Sequence, residues 1–242
     1  MSPVLETRGL CKAFGSQQVL AGVDLAVEKG ESLVVIGQSG TGKSVLLKCI
    51  LGLETPDAGQ VLWQGKPLDR RTRAAFLDGF GMLFQGAALF DSLTVWQNVA
   101  FRLRRRLGDA EARRIAVEKL ARVGLGPEVA DLHPAALSGG MAKRAGLARA
   151  IAADPQVIFF DEPTTGLDPI RAARINALIR DIVTETGATA ITITHDMTTV
   201  RRVADRVAML SGGGVVWQGD VAAMEAAHEP HLHDFIRGIW RP

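Results

Sequence analysis

Tyrosine is absent from this sequence, cysteine occurs only twice, and long apolar runs are missing. Cys11 and Cys49 lie far apart and without the spacing of a metal site, which argues against a disulfide framework and favours small buried side chains in a reducing compartment. No stretch approaches the roughly 20 apolar residues that a membrane-spanning helix requires. The opening residues, MSPVLETRGLCK, also lack the pattern of a signal peptide. We therefore expect a cytosolic chain that can still dock on a membrane protein.

An excess of charge of one sign is also missing. Charged residues make up 22% of the chain, but the formal net charge is only +2, so electrostatics give no argument for a nucleic-acid partner. The 242 residues, 47% of them hydrophobic, are enough for the core of one domain with or without a subdomain.

Short strands and helices alternate along the chain. The segments predicted as strands are VLETRGL, GVDLAVEKG, ESLVVIG, GQVLWQG, GFGMLFQ, QVIFFDEP, GATAITITHD and RVAMLSGGGVVWQG. The segments KSVLLKCILGL and IRAARINALIRDIVTE are predicted as helices, and the tail EPHLHDFIRGIWRP as a short helix. Alternation of this kind predicts an α/β fold with a mostly parallel sheet that is covered on both faces.

The middle of the chain differs from the rest. From about Leu93 to Ala153 it is mainly helical, in the segments TVWQNVAFRLRRRL, DAEARRIAVEKLARVGL and the helix after Ser138. We therefore predict a single domain with a core formed by residues 1–87 and 154–228, an inserted helical subdomain at 88–153 and a tail at 229–242.

A phosphate-binding loop follows the third predicted strand. The segment GQSGTGKS fits the pattern G-x-x-x-x-G-K-[ST] through Gly37, Gly42, Lys43 and Ser44, and it precedes a predicted helix, as the pattern requires. Its backbone N–H groups would wrap the phosphates, Lys43 would reach the β- and γ-phosphates, and Ser44 would bind Mg²⁺.

Polar residues also end three other predicted strands. In an open parallel sheet, ligands bind at the carboxyl ends of the strands. Asp161 is expected to face Mg²⁺, and Glu162 to polarise an attacking water. His195 is expected to contact the γ-phosphate, and Gln85 to reach Mg²⁺ or the water.

A second anion site is predicted at LSGGMAKRAGLARA. Ser138 is a good N-cap, and Gly139 and Gly140 precede a basic helix. A capped helix start beside glycines presents free N–H groups to an anion. One small chain therefore carries two phosphate grips.

These motifs, in this order, resemble the nucleotide-binding subunit of ABC transporters over nearly the whole chain. The resemblance implies a P-loop (RecA-like), mostly parallel core, an N-terminal antiparallel β part and an inserted α-helical subdomain. It also implies a head-to-tail dimer of two copies, in which each ATP lies between the phosphate loop of one copy and the Ser-Gly-Gly turn of the other. ATP would join the copies, and its hydrolysis would release them.

The resemblance assigns roles to individual residues. Adenine would stack on Phe14, where the family more often has tyrosine, and Asp168 in TTGLDP would couple the two sites. ATP contacts are implied for Phe14, Gly37, Gln38, Ser39, Gly40, Thr41, Gly42, Lys43, Ser44, Val45, Ser138, Gly139, Gly140 and Asp168. Catalysis is implied for Glu162, His195, Gln85 and Lys43, and Mg²⁺ binding for Ser44, Gln85 and Asp161.

Two sequence segments narrow the resemblance to one branch of the family. Met141 replaces the usual glutamine, and MLFQGAALFDSLTVWQNVAF together with LSGGMAKRAGLARAI is similar to the ATPases of Mce-type lipid transporters, including the maintenance of lipid asymmetry (Mla) pathway. This implies phospholipid transport between bacterial membranes. The implied partners are a membrane permease and a membrane-anchored Mce-domain protein, with no nucleic acid, and the implied location is the cytoplasmic side of the inner membrane.

Other features allow more than one interpretation. Ala87, Leu89 and Phe90 are expected in a groove that receives a helix of the permease, although Leu89 and Phe90 also suit an ordinary core. The arginines of RLRRRL suit either anionic partners or a solvated helix face. Trp240 is a candidate contact with a partner subunit.

Other functions remain as alternatives. One is the ATPase of another small-solute importer, and another is a soluble ABC ATPase, although the chain lacks the coiled coils, zinc modules or tandem cassettes of that class. A binding-only module is disfavoured by the presence of Lys43, Ser138, Glu162 and His195. A sugar importer of the longer type is disfavoured because its C-terminal regulatory domain is missing.

Overall fold

The computed structural model describes residues 3–239, so Trp240 lies outside the described residues. The chain divides into two compact units. Unit 1 comprises residues 1–78 and 189–242, and unit 2 comprises residues 79–188. Large fully buried side chains are found in both, among them Leu33 and Phe76 in unit 1 and Leu120 and Phe160 in unit 2.

Unit 1 contains most of the strands. Numbered along the whole chain, its elements are β1 (Leu5–Phe14), β2 (Gln17–Val27), β3 (Ser32–Ile36), α1 (Lys43–Ile50), β4 (Ala58–Trp63), β5 (Lys66–Pro67), α2 (Arg73–Asp78), β8 (Thr189–Ile193), α8 (Met197–Val203), β9 (Arg206–Ser211), β10 (Gly214–Asp220), α9 (Val221–Ala226) and α10 (Pro230–Arg237).

The N-terminal sheet is antiparallel, as predicted. Its strand order is β2-β1-β4-β5, and β1 pairs antiparallel with both β2 and β4. Leu5, Leu10 and Leu20 point into the core and are fully buried. The other face carries the polar residues, which is the pattern of an antiparallel sheet with one solvated face.

The strand before the phosphate loop is buried on both faces. All five residues of β3 are buried, and β3 pairs in parallel with β8 and β9, while β10 returns antiparallel to β9. Val35 is the register partner of Ile193. The carboxyl ends of β3 and β8 therefore lie at the same edge, so the residues that follow them are brought together.

Unit 2 is mainly helical. Its elements are β6 (Phe80–Leu83), α3 (Val95–Val99), α4 (Arg104–Leu107), α5 (Asp109–Arg122), α6 (Gly139–Ala150), β7 (Val157–Asp161) and α7 (Pro169–Thr186). β6 and β7 pair in parallel, with Leu83 opposite Phe160. A Cβ at Gly81 would collide with the carbonyl oxygen of Ala150, so glycine lets the end of α6 approach β6. Together, the two units confirm the predicted α/β class.

Two parts of the predicted secondary structure differ from the structure. The single helix predicted for TVWQNVAFRLRRRL is two helices, α3 and α4. Between them Phe101 N bonds to Asn98 O and Leu103 N to Ala100 O, the tighter i→i+3 pattern. Three helices, α2, α8 and α9, were not predicted. Each has only six or seven residues, which is too short for a clear apolar period.

Asn98 fixes the loop that precedes α3. Its side chain is fully buried, and its amide nitrogen donates to the carbonyl oxygens of Phe90, Leu93 and Thr94 at 3.0–3.1 Å. Its amide oxygen accepts from Phe90 N at 2.7 Å. One side chain thus satisfies four backbone hydrogen-bonding groups, and it determines where Phe90 is held.

We expect Asn98→Ala to lower the free energy of unfolding by about 2–4 kcal/mol, because it empties the space of a fully buried side chain and removes the partner of Phe90 N and of the Leu93 carbonyl oxygen. Urea denaturation measures this. The exposed Arg105→Ala is the control and should change the value by less than about 0.5 kcal/mol. Equal effects of the two substitutions would show that Asn98 does not hold this loop.

Candidate active site

The phosphate loop joins β3 to α1 in unit 1. A Cβ at Gly37 would collide with the carbonyl oxygen of Leu210, and one at Gly42 would lie 2.8 Å from the carbonyl oxygen of Val19. Gly40 and Gly42 have φ values of +83° and +98°, which side chains rarely adopt. All three glycines of the loop are therefore required: Gly37 by close backbone approach, Gly40 by its conformation, and Gly42 by both.

The start of α1 is open to an anion. The first intrahelical bond runs from Leu46 N to Gly42 O at 2.8 Å, so the N–H groups of Ser44 and Val45 lie in the first helical turn, which has no intrahelical acceptors for them. No acidic residue occurs in that turn, and the Ser44 side chain is exposed. The positive end of the helix dipole therefore has no carboxylate to neutralise it locally.

Lys43 lies within the loop. It is 8% exposed, and its Nζ donates to the carbonyl oxygens of Gly37 and Gln38 at 2.7 Å each. Its positive charge is thus held against the backbone of the loop that would surround the phosphates. Gln38, Ser39, Thr41 and Val45 complete the predicted contact set on the same loop and helix start.

The structure brings His195 to the same edge as the phosphate loop. β8 ends at Ile193, and Thr194 N continues the ladder to Val35 O at 3.2 Å. His195 follows as an exposed residue. Adjacent parallel strands therefore deliver His195 and Gly37 from their carboxyl ends, as the sequence predicted.

Phe14 ends β1 and is 47% exposed. The ammonium group of Lys12 lies 5.3 Å from its ring centroid. A ring that is about half exposed suits stacking by a purine, and the adenine contact stays a prediction.

The acidic candidates lie in unit 2. Asp161 is the last residue of β7, and Glu162 has a left-handed backbone with φ +47°. The Thr165 hydroxyl donates to Glu162 Oε2 at 3.0 Å. Non-glycine residues keep such a conformation only where their surroundings hold it, and they concentrate at functional sites. Gln85 follows β6, the parallel neighbour of β7, so the three side chains follow one pair of strand ends.

Lys143 lies on the helix that was predicted only to be basic, and it joins two of these residues. It is 5% exposed, and its Nζ donates to the main-chain carbonyl oxygens of Gln85 and, at 3.2 Å, of Glu162. Burial lowers the pKa of the Lys143 ammonium, and the carboxylates of Asp161 and Glu162 act in the opposite direction. No local pattern in the sequence signals this role, because Lys143 meets the two carbonyls through contacts distant along the chain.

The second predicted anion site is also in unit 2. Ser138 caps α6, and its hydroxyl accepts from Met141 N at 3.3 Å, as predicted. Ser138 and Gly139 are exposed, and a Cβ at Gly139 would meet no atom within 4 Å. The helix start is therefore accessible to a ligand from outside the unit.

Asp168 orders the start of α7. Its carboxylate accepts from the N–H groups of Arg171 and Ile170 at 3.0 and 3.1 Å, and it pairs with the Arg171 side chain at 3.2 Å. The Arg171 N–H and charge are the main causes that lower the pKa of this carboxyl. Asp168 therefore remains ionised at neutral pH, and its role across a dimer stays a prediction.

An aromatic cavity of about 240 Å³ opens on unit 2. Its lining includes Phe80, Phe84, Phe90, Phe101, Arg102 and Arg149. Phe90 and Phe101 are about half exposed, and their ring centroids lie 4.8 Å apart.

Of the three residues expected in a docking groove, Phe90 lines the aromatic cavity. Leu89 is half-buried and is not among the lining residues. The expectation for Ala87 was wrong. Its side chain is buried and packs against Gly146, where an added Cβ would lie 3.2 Å away.

Among residues 3–239, no group of three or more His, Cys, Asp and Glu side chains could hold a metal ion. Within the same range, none of the helices is both long and apolar enough to span a membrane.

Comparison with known proteins agrees with the motifs. A family model described as "ABC transporter" matches residues 20–165, which is more than half of the chain. The probable ribonucleotide transport ATP-binding protein mkl of Mycobacterium tuberculosis is 40% identical over 98% of this chain and 67% of its own length. The methionine import protein MetN of Mesorhizobium japonicum is 41% identical over 96% of this chain and 65% of its own.

A plant protein is similar as well. TRIGALACTOSYLDIACYLGLYCEROL 3, a chloroplastic protein of Arabidopsis thaliana, is 38% identical over 97% of this chain and 74% of its own length. The present chain thus spans about two thirds to three quarters of the length of these three relatives.

Solved structures share the fold. cbiO1 from Clostridium perfringens, part of the transporter complex cbiONQ, has a TM-score of 0.84 and 29% identity, covering 98% of this chain and 96% of that one. A dimeric ATP-binding cassette in a post-hydrolysis state with ADP and Pi has a TM-score of 0.80 and 30% identity over 90% of this chain and 98% of its own. The chain therefore belongs to the ABC transporter family, and it is an ATP-binding ATPase of that family.

Proposed function

We propose that this chain powers a membrane transporter by hydrolysing ATP between two copies of itself. The observation that carries the proposal is the phosphate loop, where close backbone approach requires glycine and the start of α1 carries no acid. The exposed, capped start of α6 supplies a second grip. A single chain has no need of two phosphate grips, but two copies placed head to tail would use both.

The roles of the residues follow from their chemistry. Residues 37–45 bind the phosphates of ATP through backbone N–H groups and the Lys43 ammonium, and Phe14 stacks on adenine. Ser138, Gly139 and Gly140 bind the γ-phosphate held by the other copy, and Asp168 couples the two sites. Glu162 accepts a proton from the attacking water, and His195 orients the γ-phosphate.

The donor set suits a magnesium ion. Ser44, Gln85 and Asp161 offer hydroxyl, amide and carboxylate oxygens, which are the hard ligands that Mg²⁺ prefers. When bound, Mg²⁺ would neutralise the charge that develops on the phosphate oxygens.

The aromatic cavity is the proposed docking site for a cytoplasmic helix of a permease. Contiguous exposed apolar patches mark interaction sites, and Phe90 and Phe101 are each about half exposed, with their ring centroids 4.8 Å apart. cbiO1, a similar structure, is part of a transporter complex. The chain would then work at the cytoplasmic side of the inner membrane as a peripheral subunit.

For the cargo we propose phospholipid, in a transporter of the Mce or Mla type with a membrane-anchored Mce-domain protein as a further partner. The segments around Gln85 and Met141 support this proposal, and so does the similarity to a plant protein whose name contains a galactolipid. The names of other relatives refer to ribonucleotide and to methionine, so a small-solute importer is the second candidate.

Glu162→Gln should still bind ATP, hydrolyse it at least about 100-fold more slowly, and accumulate as a closed dimer, because the general base is lost. Steady-state phosphate release and size-exclusion chromatography with ATP measure these effects. Glu118→Gln, on an exposed face of α5, is the control and should leave turnover unchanged. Normal turnover of Glu162→Gln would remove Glu162 from this role.

Ser138→Arg should retain ATP binding and lose hydrolysis by about 100-fold or more, because a long side chain would block the grip on the other copy's γ-phosphate. Nucleotide binding and phosphate release are measured on the same preparation. Ala135→Arg places the same charge on an exposed position three residues away and should be active. Full activity of Ser138→Arg would contradict the two-grip dimer.

The tagged chain, purified from gently solubilised native membranes, should carry a permease, a membrane-anchored lipid-binding protein and phospholipid, identified by mass spectrometry. Phe101→Glu should lose the permease, because a carboxylate is costly to bury in an apolar contact, while its intrinsic ATPase persists. Leu53→Glu, which changes an exposed leucine of unit 1, is the control. A permease with a soluble small-solute binding protein would overturn the lipid cargo, and the lack of any membrane partner would favour a soluble ATPase.

A further inference from the structure

Lys143 is a buried cation whose hydrogen bonds go to main-chain carbonyls and not to a carboxylate. Its Nζ contacts the carbonyl oxygens of Gln85 and Glu162. These two residues follow the parallel strands β6 and β7, respectively. Burying a charge costs free energy unless hydrogen bonds compensate. A lysine that served only stability would be expected to bury its charge against one acid.

Unit 2 contains such a lysine for comparison. Lys119 is 6% exposed, close to the 5% of Lys143, and it pairs with the Asp154 carboxylate at 2.5 Å. That ion pair joins α5 to the turn before β7 and contacts none of the candidate catalytic residues. Lys119 and Lys143 are thus equally buried but differ in what they hold, which makes Lys119 a matched control.

Each carbonyl held by Lys143 lies in or close to backbone with a left-handed conformation. Glu162 has φ +47°, and Ala87 and Ala88, just after Gln85, have φ values of +62° and +49°. The carbonyl oxygens of Ala87 and Ala88 accept from Arg149, also on α6, at 2.6 and 2.7 Å. Left-handed non-glycine residues persist only where their surroundings hold them. Side chains of α6 therefore hold both of these loops.

We propose that Lys143 is a positioning residue for hydrolysis: it fixes the main chain of Glu162 relative to that of Gln85 and connects both to the helix that begins at Ser138. This inference rests on the proposed function, in which Glu162 and Gln85 act on ATP and the start of α6 grips the other copy's nucleotide. Binding of the other copy's nucleotide at the start of α6 then stabilises the catalytic position of Glu162 in the same chain. Lys143 itself touches no reacting atom.

The test is Lys143→Met, which keeps an unbranched side chain one atom shorter than lysine and removes both hydrogen bonds. We expect kcat for ATP hydrolysis to fall about 10- to 100-fold, as small misplacements of catalytic groups do. The KM for ATP should stay within about twofold, since the phosphate loop is unchanged. Lys119→Met removes an equally buried charge and should keep both constants near those of the unmodified protein.

Hydrogen exchange gives a second measurement on the same proteins. Lys143→Met should speed amide exchange in residues 85–88 and 162–165, whereas Lys119→Met should leave these segments unchanged. Where Lys143→Met does not fold, Lys143→Gln replaces it, because its amide is one bond shorter and is too short to bridge both carbonyls. It should show the same loss of kcat at constant KM.

Glu162→Gln in the same assay separates this inference from the function on which it rests. If Glu162→Gln is inactive while the Lys143 variants turn over at the normal rate, the positioning role is overturned and the proposed function survives. If Glu162→Gln is active, the proposed catalytic role of Glu162 is wrong, and the inference about Lys143 loses its basis. A fall in kcat that Lys119→Met reproduces would reduce Lys143 to a structural residue.

Discussion

Parallel pairing of buried strands is the constraint on which the candidate active site depends. Within unit 1, β3 and β8 run side by side, so the phosphate loop and His195 emerge from one edge. Within unit 2, β6 and β7 do the same for Gln85, Asp161 and Glu162. β3 and β8 are buried at every residue and β7 at all but its last, so these strands leave no open face on which to bind a ligand. Chemistry is therefore left to the first residues after each strand, where the backbone becomes free to turn.

That constraint explains what could be predicted from the sequence. The phosphate loop, the acids after QVIFFD and the cap at Ser138 are local patterns, and each needs only its own neighbours to form. The glycines of the loop add a tertiary reason that the pattern does not state: Gly37 and Gly42 lie against the carbonyl oxygens of Leu210 and Val19, from distant parts of the chain.

The residues that were missed depend on contacts distant in sequence. Lys143 meets Gln85 and Glu162 from 58 and 19 residues away, and no spacing rule connects them. Ala87 was expected to be open to a partner, but it is covered by α6 at Gly146. The interruption between α3 and α4 is likewise invisible in the apolar pattern, because it consists of main-chain i→i+3 bonds at Phe101 and Leu103. For Lys143 and Ala87, tertiary packing decided what periodicity could not.

The self-contained hydrogen bonding of Asn98 has a consequence for how transporters of this family diversify. All four backbone groups that it satisfies lie in residues 90–94, and its own position is on the adjoining helix. Residues 90–98 thus form a short unit whose loop is held by Asn98, while the N–H groups of Val95 and Trp96 attach the unit to the carbonyl oxygens of Leu132 and Ala130. Such a unit can exchange its exposed side chains, Phe90 among them, without disturbing the loops that handle the nucleotide. Substitutions in this unit can therefore change which membrane partner binds, while the residues that bind and hydrolyse ATP stay the same.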